Sequence, residues 1–185
     1  MVLLYHEQQV AALCGQHCLN NLLQGPYFTE WDLAEIAQEL DRKEKALMLE
    51  AGLTDEARAF MTQQRQGTGN VDLDGNFSVQ VLSVALERSH SLRLEDSRRP
   101  ENRNAMVRPE MQEGFVLNRS SHWYCMRRLD GQWWQMNSAL PAPERMSNSH
   151  LAATLAQLAA DSWTVFLICG GQLPAPTPRS DAAPA

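Results

Sequence analysis

The chain has 185 residues, 44% of them hydrophobic, and a formal net charge of −6. That length and apolar content suit one domain with its own core. An acidic chain without a Lys/Arg run argues against nucleic acid and anionic membrane, leaving protein or small-molecule partners. No apolar run approaches the roughly 18–20 residues that cross a bilayer, and no signal peptide is read at the start. The four cysteines, Cys14, Cys18, Cys125 and Cys169, are irregularly spaced. Disulfides are therefore not expected, and a reducing compartment is.

The first element is a helix over Leu13 to Leu23, with Cys18, Leu19, Leu22 and Leu23 at helical spacing. Gln24-Gly25-Pro26 stops it. Cys14 sits in its first turn, where the positive end of the helix dipole favours thiolate over thiol. A small buried apolar residue is the plainer reading of a free cysteine. Thr29 caps a second helix carrying Trp31, Leu33, Ile36, Ala37 and Leu40. Its charged continuation toward Leu49 predicts an arm that leaves the body. Thr54 caps a third helix through about Gln64, closing a helical hairpin.

The polar stretch from Arg65 to Asn76 contains two deceptive strings. Gly67-Thr68-Gly69 lacks the third glycine and the preceding strand of a dinucleotide fingerprint. Asp72-Leu73-Asp74-Gly75-Asn76 begins like a calcium loop, but Phe77 and Ser83 occupy positions that need Gly and Glu. Ser78 caps a fourth helix with Val81, Leu82, Ala85 and Leu86 on one face. Leu92 to Leu94 and Phe115 to Leu117 read as strands, and Asp96 to Pro109 as a surface loop without chemistry. His122 to Arg128 and Trp133 to Asn137 flank an Asp130-Gly131 hairpin turn. Leu151 to Ala160 is an amphipathic helix, Trp163 to Cys169 a central strand buried on both faces, and the Pro/Ala-rich end from Gly170 a disordered tail. Helices lead and strands follow, so the fold class is α+β, an antiparallel sheet packed against helices.

The hairpin carries the chemistry. An Asp130-Gly131 turn places Asn137 opposite Tyr124, so His122 and Asn137 share one face as diagonal neighbours about 7–8 Å apart at Cα. A carboxamide beside an imidazole orients it as a general base. With Cys14 on a helix packed against that sheet, the chain offers a Cys-His-Asn set in the order of papain-like proteases. His17 rivals His122 as base, but it shares the nucleophile's own helix and is read as structural. Cys14, His17 and Cys18 also allow a zinc module, although the paired spacing of a four-ligand site is missing.

The strings YHEQQ, LCGQHCLNNLLQGPYF, SHWYCMRRL and WWQMNSAL resemble the Josephin family of cysteine proteases, of the ataxin-3-like type, over Leu4 to Leu173. The resemblance implies a papain-like body, here 1–173, with a projecting helical hairpin and a tail over 174–185. It makes Cys14 the nucleophile, His122 the base, Asn137 its orienting residue and Gln9 the oxyanion-hole donor. It implies a deubiquitinase acting on the C-terminal glycine of ubiquitin without a cofactor, as a monomer in nucleus and cytoplasm, with ubiquitin and ubiquitinated proteins as partners. Tyr27, Phe28, Val79 and Gln80 match ubiquitin-contacting positions, and Trp123 would wall the cleft. For Tyr27 and Phe28, core packing is an equal alternative. Ser89 stands where the family carries a ubiquitin-contacting tryptophan, and the ubiquitin-interacting helices of the ataxin-3-like type are not expected in residues 174–185. The alternative function is a ubiquitin-binding module with little or no catalysis.

Overall fold

A computed structural model describes residues 4–9, 13–50, 70–71 and 76–175. The predicted third helix, and the tail beyond residue 175, lie outside the described residues. The first helix, α1, runs Cys14–Leu23, and the second, α2, Glu30–Glu50. Thr29 begins α2 as expected: its hydroxyl accepts from the Asp32 N–H, and the Asp32 carboxylate accepts from the Thr29 N–H in return. This reciprocal box satisfies donors that no helix carbonyl reaches. Only Leu33, Ile36 and Ala37 of α2 are buried, all in its first half. The second half has no buried residue, and its Leu47 and Leu49 are largely exposed.

The third helix, α3 (Val79–His90), is capped by Ser78, whose hydroxyl accepts from the Val81 N–H. Strand β1 (Leu92–Asp96) follows, then three short turns of helix at Pro100–Asn102, α4 (Arg103–Val107) and Pro109–Met111. The surface loop expected over Asp96 to Pro109 is thus largely helical. Buried Asn102 ties it down by donating to the Asp96 carbonyl. Prolines at helix starts and the absence of an apolar stripe hid these turns.

Strands β2 (Gly114–Arg119), β3 (His122–Leu129), β4 (Gln132–Met136) and β5 (Glu144–Met146) precede α5 (Asn148–Ala160) and β6 (Thr164–Gly170). Together they form one antiparallel sheet in the order β1-β6-β2-β3-β4-β5. The Asp130-Gly131 turn has positive φ at both residues (47° and 72°), as a two-residue primed turn requires. It sets the predicted register, with Leu129 facing Gln132 and Cys125 facing Met136.

Alternation along β3 divides the core between the two faces of the sheet. Trp123 and Cys125 pack with Leu19, Leu22, Val81, Leu82 and Leu86 of α1 and α3. Tyr124 and Met126 pack with Phe115, Trp133 and the Leu151 and Leu155 side chains of α5. Arg127 is buried on the α1 face, where it donates to the Leu22 and Pro174 carbonyls. Burial pushes it down to about 10, and the C-terminal carbonyl end of α1 is a favourable place for its charge.

Three expectations need correction. β5 was not foreseen, because of its three residues only Met146 is buried and no apolar alternation can show. β6 lies between β1 and β2 but is not buried on both faces: Val165 and Leu167 are covered, whereas Phe166 and Ile168 are each open to a cavity. The tail does not begin at Gly170, which closes β6, nor is Pro174 loose. Leu173 packs on the core and Arg127 holds the Pro174 carbonyl.

Candidate active site

The segment Tyr5–Gln9 is fixed to α1 by carboxamides that a count of apolar positions passes over. Asn20, Asn21 and Gln24 are all buried. Asn21 accepts from the Glu7 N–H at 2.6 Å and donates to the Glu7 carbonyl at 3.2 Å, while Gln24 pairs in the same way with Tyr5 at 3.0 and 3.2 Å. Each side chain thus reads a backbone as a neighbouring strand would. Gln24 also ends α1 at a left-handed φ of 61°, a strained position for a non-glycine residue that its buried hydrogen bonds offset.

Glu7 lies under this segment. It accepts from His17 Nδ1 at 2.6 Å, from Asn20 Nδ2 at 3.1 Å and from the Tyr5 hydroxyl. Burial works to raise its pKa, but the bonds from His17, Tyr5 and Asn20 outweigh it and hold the carboxyl below its ordinary 4.5. The stabilisation is therefore complete above 4.5 and is lost as pH falls through the lower folded value. Glu7→Gln is expected to cost about 2 kcal/mol at neutral pH, read as a lower Tm, with the gap to wild type closing below 4.5. A gap that stays constant down to acid pH would contradict this.

Cys14 opens α1 and meets the start of β3. Its thiol donates to the Ser121 carbonyl at 3.1 Å and lies 3.8 Å from the Asn76 amide oxygen. The next residue, His122, donates from Nε2 to Asn137 Oδ1 at 3.1 Å. The Ala139 N–H also donates to that oxygen at 3.1 Å. A backbone N–H can only donate, so the Asn137 carboxamide must present its oxygen, and Nε2 must carry the imidazole proton. The lone pair is left on Nδ1, the atom a base would use. Tyr124 stacks near the imidazole and Trp163 meets it edge-on, with ring centroids 6.0 and 6.2 Å away. Gln9 is bound through its N–H to the Ser138 carbonyl at 2.8 Å, and its Oε1 accepts from the Ser138 hydroxyl at 2.9 Å. Its amide nitrogen remains for another acceptor.

The neighbouring thiol is of a different kind. Cys18 is fully enclosed beside Cys125, and burial pushes its pKa well above the ordinary thiol range. His17 is engaged by Glu7, the structural place expected of it. Among the described residues, no three His, Cys, Asp or Glu side chains cluster as a metal would require.

A cavity of about 530 Å³ is lined by Asn76, Phe77, Val79, Ser121, Trp123 and Asp96, among others; Cys14 is not in its lining, but Asn76 and Ser121, which its thiol meets, are. Trp123 is a wall of it but is nearly buried, its indole donating to the Phe77 carbonyl at 3.1 Å. Asp96, from the stretch read as lacking chemistry, lines the rim with Arg98, which pairs with it. Val79 is half-buried at the cavity and Gln80 is exposed on α3. The two aromatics after α1 separate: Tyr27 is 42% exposed and edges His90 at 4.8 Å, whereas Phe28 is buried in the core. Phe28 is thus placed for packing, the alternative weighed for it above. Ser89 turns its hydroxyl back to the Ala85 carbonyl of α3. Sequence reasoning missed Ser121, Ser138 and Trp163, and dismissed Asn76 with the calcium-like string. A carbonyl or hydroxyl partner from a distant segment leaves no spacing signal.

Comparison with known proteins agrees with this architecture. The Josephin family profile matches residues 9–169. Ataxin-3 of Rattus norvegicus is 41% identical over 167 residues, covering 90% of this chain and 46% of the relative. The human protein gives the same identity over 90% of this chain and 45% of its own. An ataxin-3 homolog of Arabidopsis thaliana is 37% identical over 185 residues, covering 99% of this chain and 64% of the relative. The chain spans about half the length of the mammalian relatives it matches. No described helix is long and apolar enough to cross a membrane. With one profile spanning the thiol-bearing helix, the hairpin and the last strand, the chain belongs to the Josephin family.

Proposed function

We propose that this protein is a cysteine deubiquitinase that hydrolyses isopeptide bonds at the C-terminal glycine of ubiquitin. The observation that carries the reading is the His122–Asn137 pair, whose hydrogen bonding leaves Nδ1 basic one residue beyond the carbonyl that holds the Cys14 thiol. Substrate arrival lets His122 take the thiol proton, and the thiolate attacks the glycine carbonyl carbon. The oxyanion accepts from the Gln9 amide nitrogen near the positive end of α1. His122 then returns the proton to the departing lysine amine, leaving a thioester on Cys14. Water, deprotonated by His122, attacks the thioester; the thiolate leaves and takes that proton back from His122, and the ubiquitin carboxyl releases its own proton to solvent as the carboxylate. The cavity between Val79 and Trp123 suits a slender peptide tail. Tyr27, Val79 and Gln80 serve as contacts for the folded part of ubiquitin, and Phe28 supports that edge from the core.

The test is an isopeptide-linked ubiquitin dimer offered to wild type and Cys14→Ala. Wild type is expected to release monomers, while the variant binds the dimer and leaves it intact. Binding without cleavage by wild type would instead mark a ubiquitin-binding module.

A further inference from the structure

We propose that Ser138 is a positioning residue that aims the Gln9 carboxamide at the oxyanion. The inference rests on the role given to Gln9 above. A glutamine side chain has three rotatable bonds, and its carboxamide ends are nearly the same shape. As an oxyanion donor it must be held in place and must present nitrogen rather than oxygen.

Ser138 engages Gln9 twice. Its carbonyl accepts the Gln9 N–H at 2.8 Å and fixes the backbone. Its hydroxyl donates to Gln9 Oε1 at 2.9 Å, so the oxygen faces Ser138 and the amide N–H groups face away. The serine is itself 1% exposed, so its hydroxyl is held in the interior, while Gln9 is half-buried. The neighbouring backbone is braced too: His6 Nε2 bonds the Leu140 carbonyl at 2.9 Å, and the Leu140 N–H returns to the Asn137 carbonyl at 2.9 Å. Asn137 and Ser138 are adjacent at the end of β4. Their side chains point to different partners, one orienting the imidazole and the other the oxyanion donor. A single short segment thereby sets the relative placement of base and oxyanion hole.

Losing the hydroxyl leaves Gln9 in place but free to rotate, so the loss falls on the step in which negative charge grows on oxygen. The experiment compares wild type, Gln9→Ala, Ser138→Ala and the double variant on a fluorogenic C-terminal amide of ubiquitin. A parallel arm measures labelling by ubiquitin ending in a propargyl amide. There the thiolate adds to one alkyne carbon, one C–C π bond breaks toward the other, that second carbon takes the proton His122 removed from the thiol, and no oxyanion forms. Ser138→Ala is expected to lower kcat about tenfold with KM unchanged, and the double variant to match Gln9→Ala within about twofold. Alkyne labelling should stay within about twofold of wild type in every variant, which also certifies fold and ubiquitin binding.

A double variant clearly slower than Gln9→Ala would mean that Ser138 acts independently of Gln9, overturning the proposal. So would an unchanged kcat in Ser138→Ala, or labelling that slows in step with turnover. Wild-type turnover in Gln9→Ala, or none in wild type, would contradict the underlying reading of the site and overturn the proposal with it. Those two outcomes need no Ser138 variant, so the two failures are told apart.

Discussion

Cys14→Ala is expected to reduce ubiquitin-amide hydrolysis by about five to six orders of magnitude while leaving the fold and ubiquitin binding intact. The reason is chemical rather than structural. The residue is small, and its buried surface is shared with a core that Leu19, Leu82 and Trp123 already fill. Removing one sulfur there costs little packing but removes the thiol that bonds the Ser121 carbonyl. Cys18 cannot substitute for it, since the burial that raises its pKa also shuts it from substrate. The checks are kcat/KM on a ubiquitin amide and circular dichroism on the same sample. Turnover within a hundredfold of wild type would remove Cys14 from the nucleophile's role.

His122→Ala should follow, with kcat down by about four orders of magnitude. His17, the rival on α1, donates from Nδ1 to Glu7 at 2.6 Å, and the lone pair this leaves on Nε2 is buried without a hydrogen-bond partner, whereas His122 follows directly on the carbonyl that holds the Cys14 thiol. Asn137→Ala should lower kcat by about two orders: the imidazole survives but loses the partner that keeps the proton on Nε2. The ranking His122→Ala, then Asn137→Ala, then His17→Ala is the distinctive part, read from steady-state kinetics on one substrate. A His17→Ala variant slower than His122→Ala would transfer the base to α1 and contradict the tautomer argument.

Legibility in the sequence followed the range of the interactions. The hairpin was readable because Asp130-Gly131 dictates a two-residue turn, and that turn alone brings His122 to Asn137. The starts of α2 and α3 were readable because Thr29 and Ser78 cap within three residues. β5 was not, since three residues at a sheet edge with one buried side chain carry no periodicity. The grip of Asn20, Asn21 and Gln24 on Tyr5 and Glu7 was also invisible. Polar residues on a helix normally face solvent, and only the tertiary fold shows these to be buried. Gln9 entered through the family resemblance alone. The Ser138 hydroxyl that bonds it comes from a distant segment, so no local pattern announced the pair. β6 was overread for the converse reason: a continuous apolar run is consistent with burial on both faces, but cavities beside Phe166 and Ile168 leave one face partly open.

The central claim is that Cys14 is a nucleophile directed at the ubiquitin C-terminus. Its most direct test is intact mass after incubation with ubiquitin ending in a propargyl amide, for wild type and Cys14→Ala side by side. The account predicts a single adduct of one ubiquitin on wild type, mapped to Cys14, and none on the variant. An unlabelled wild type, or an adduct that persists in Cys14→Ala, would contradict it.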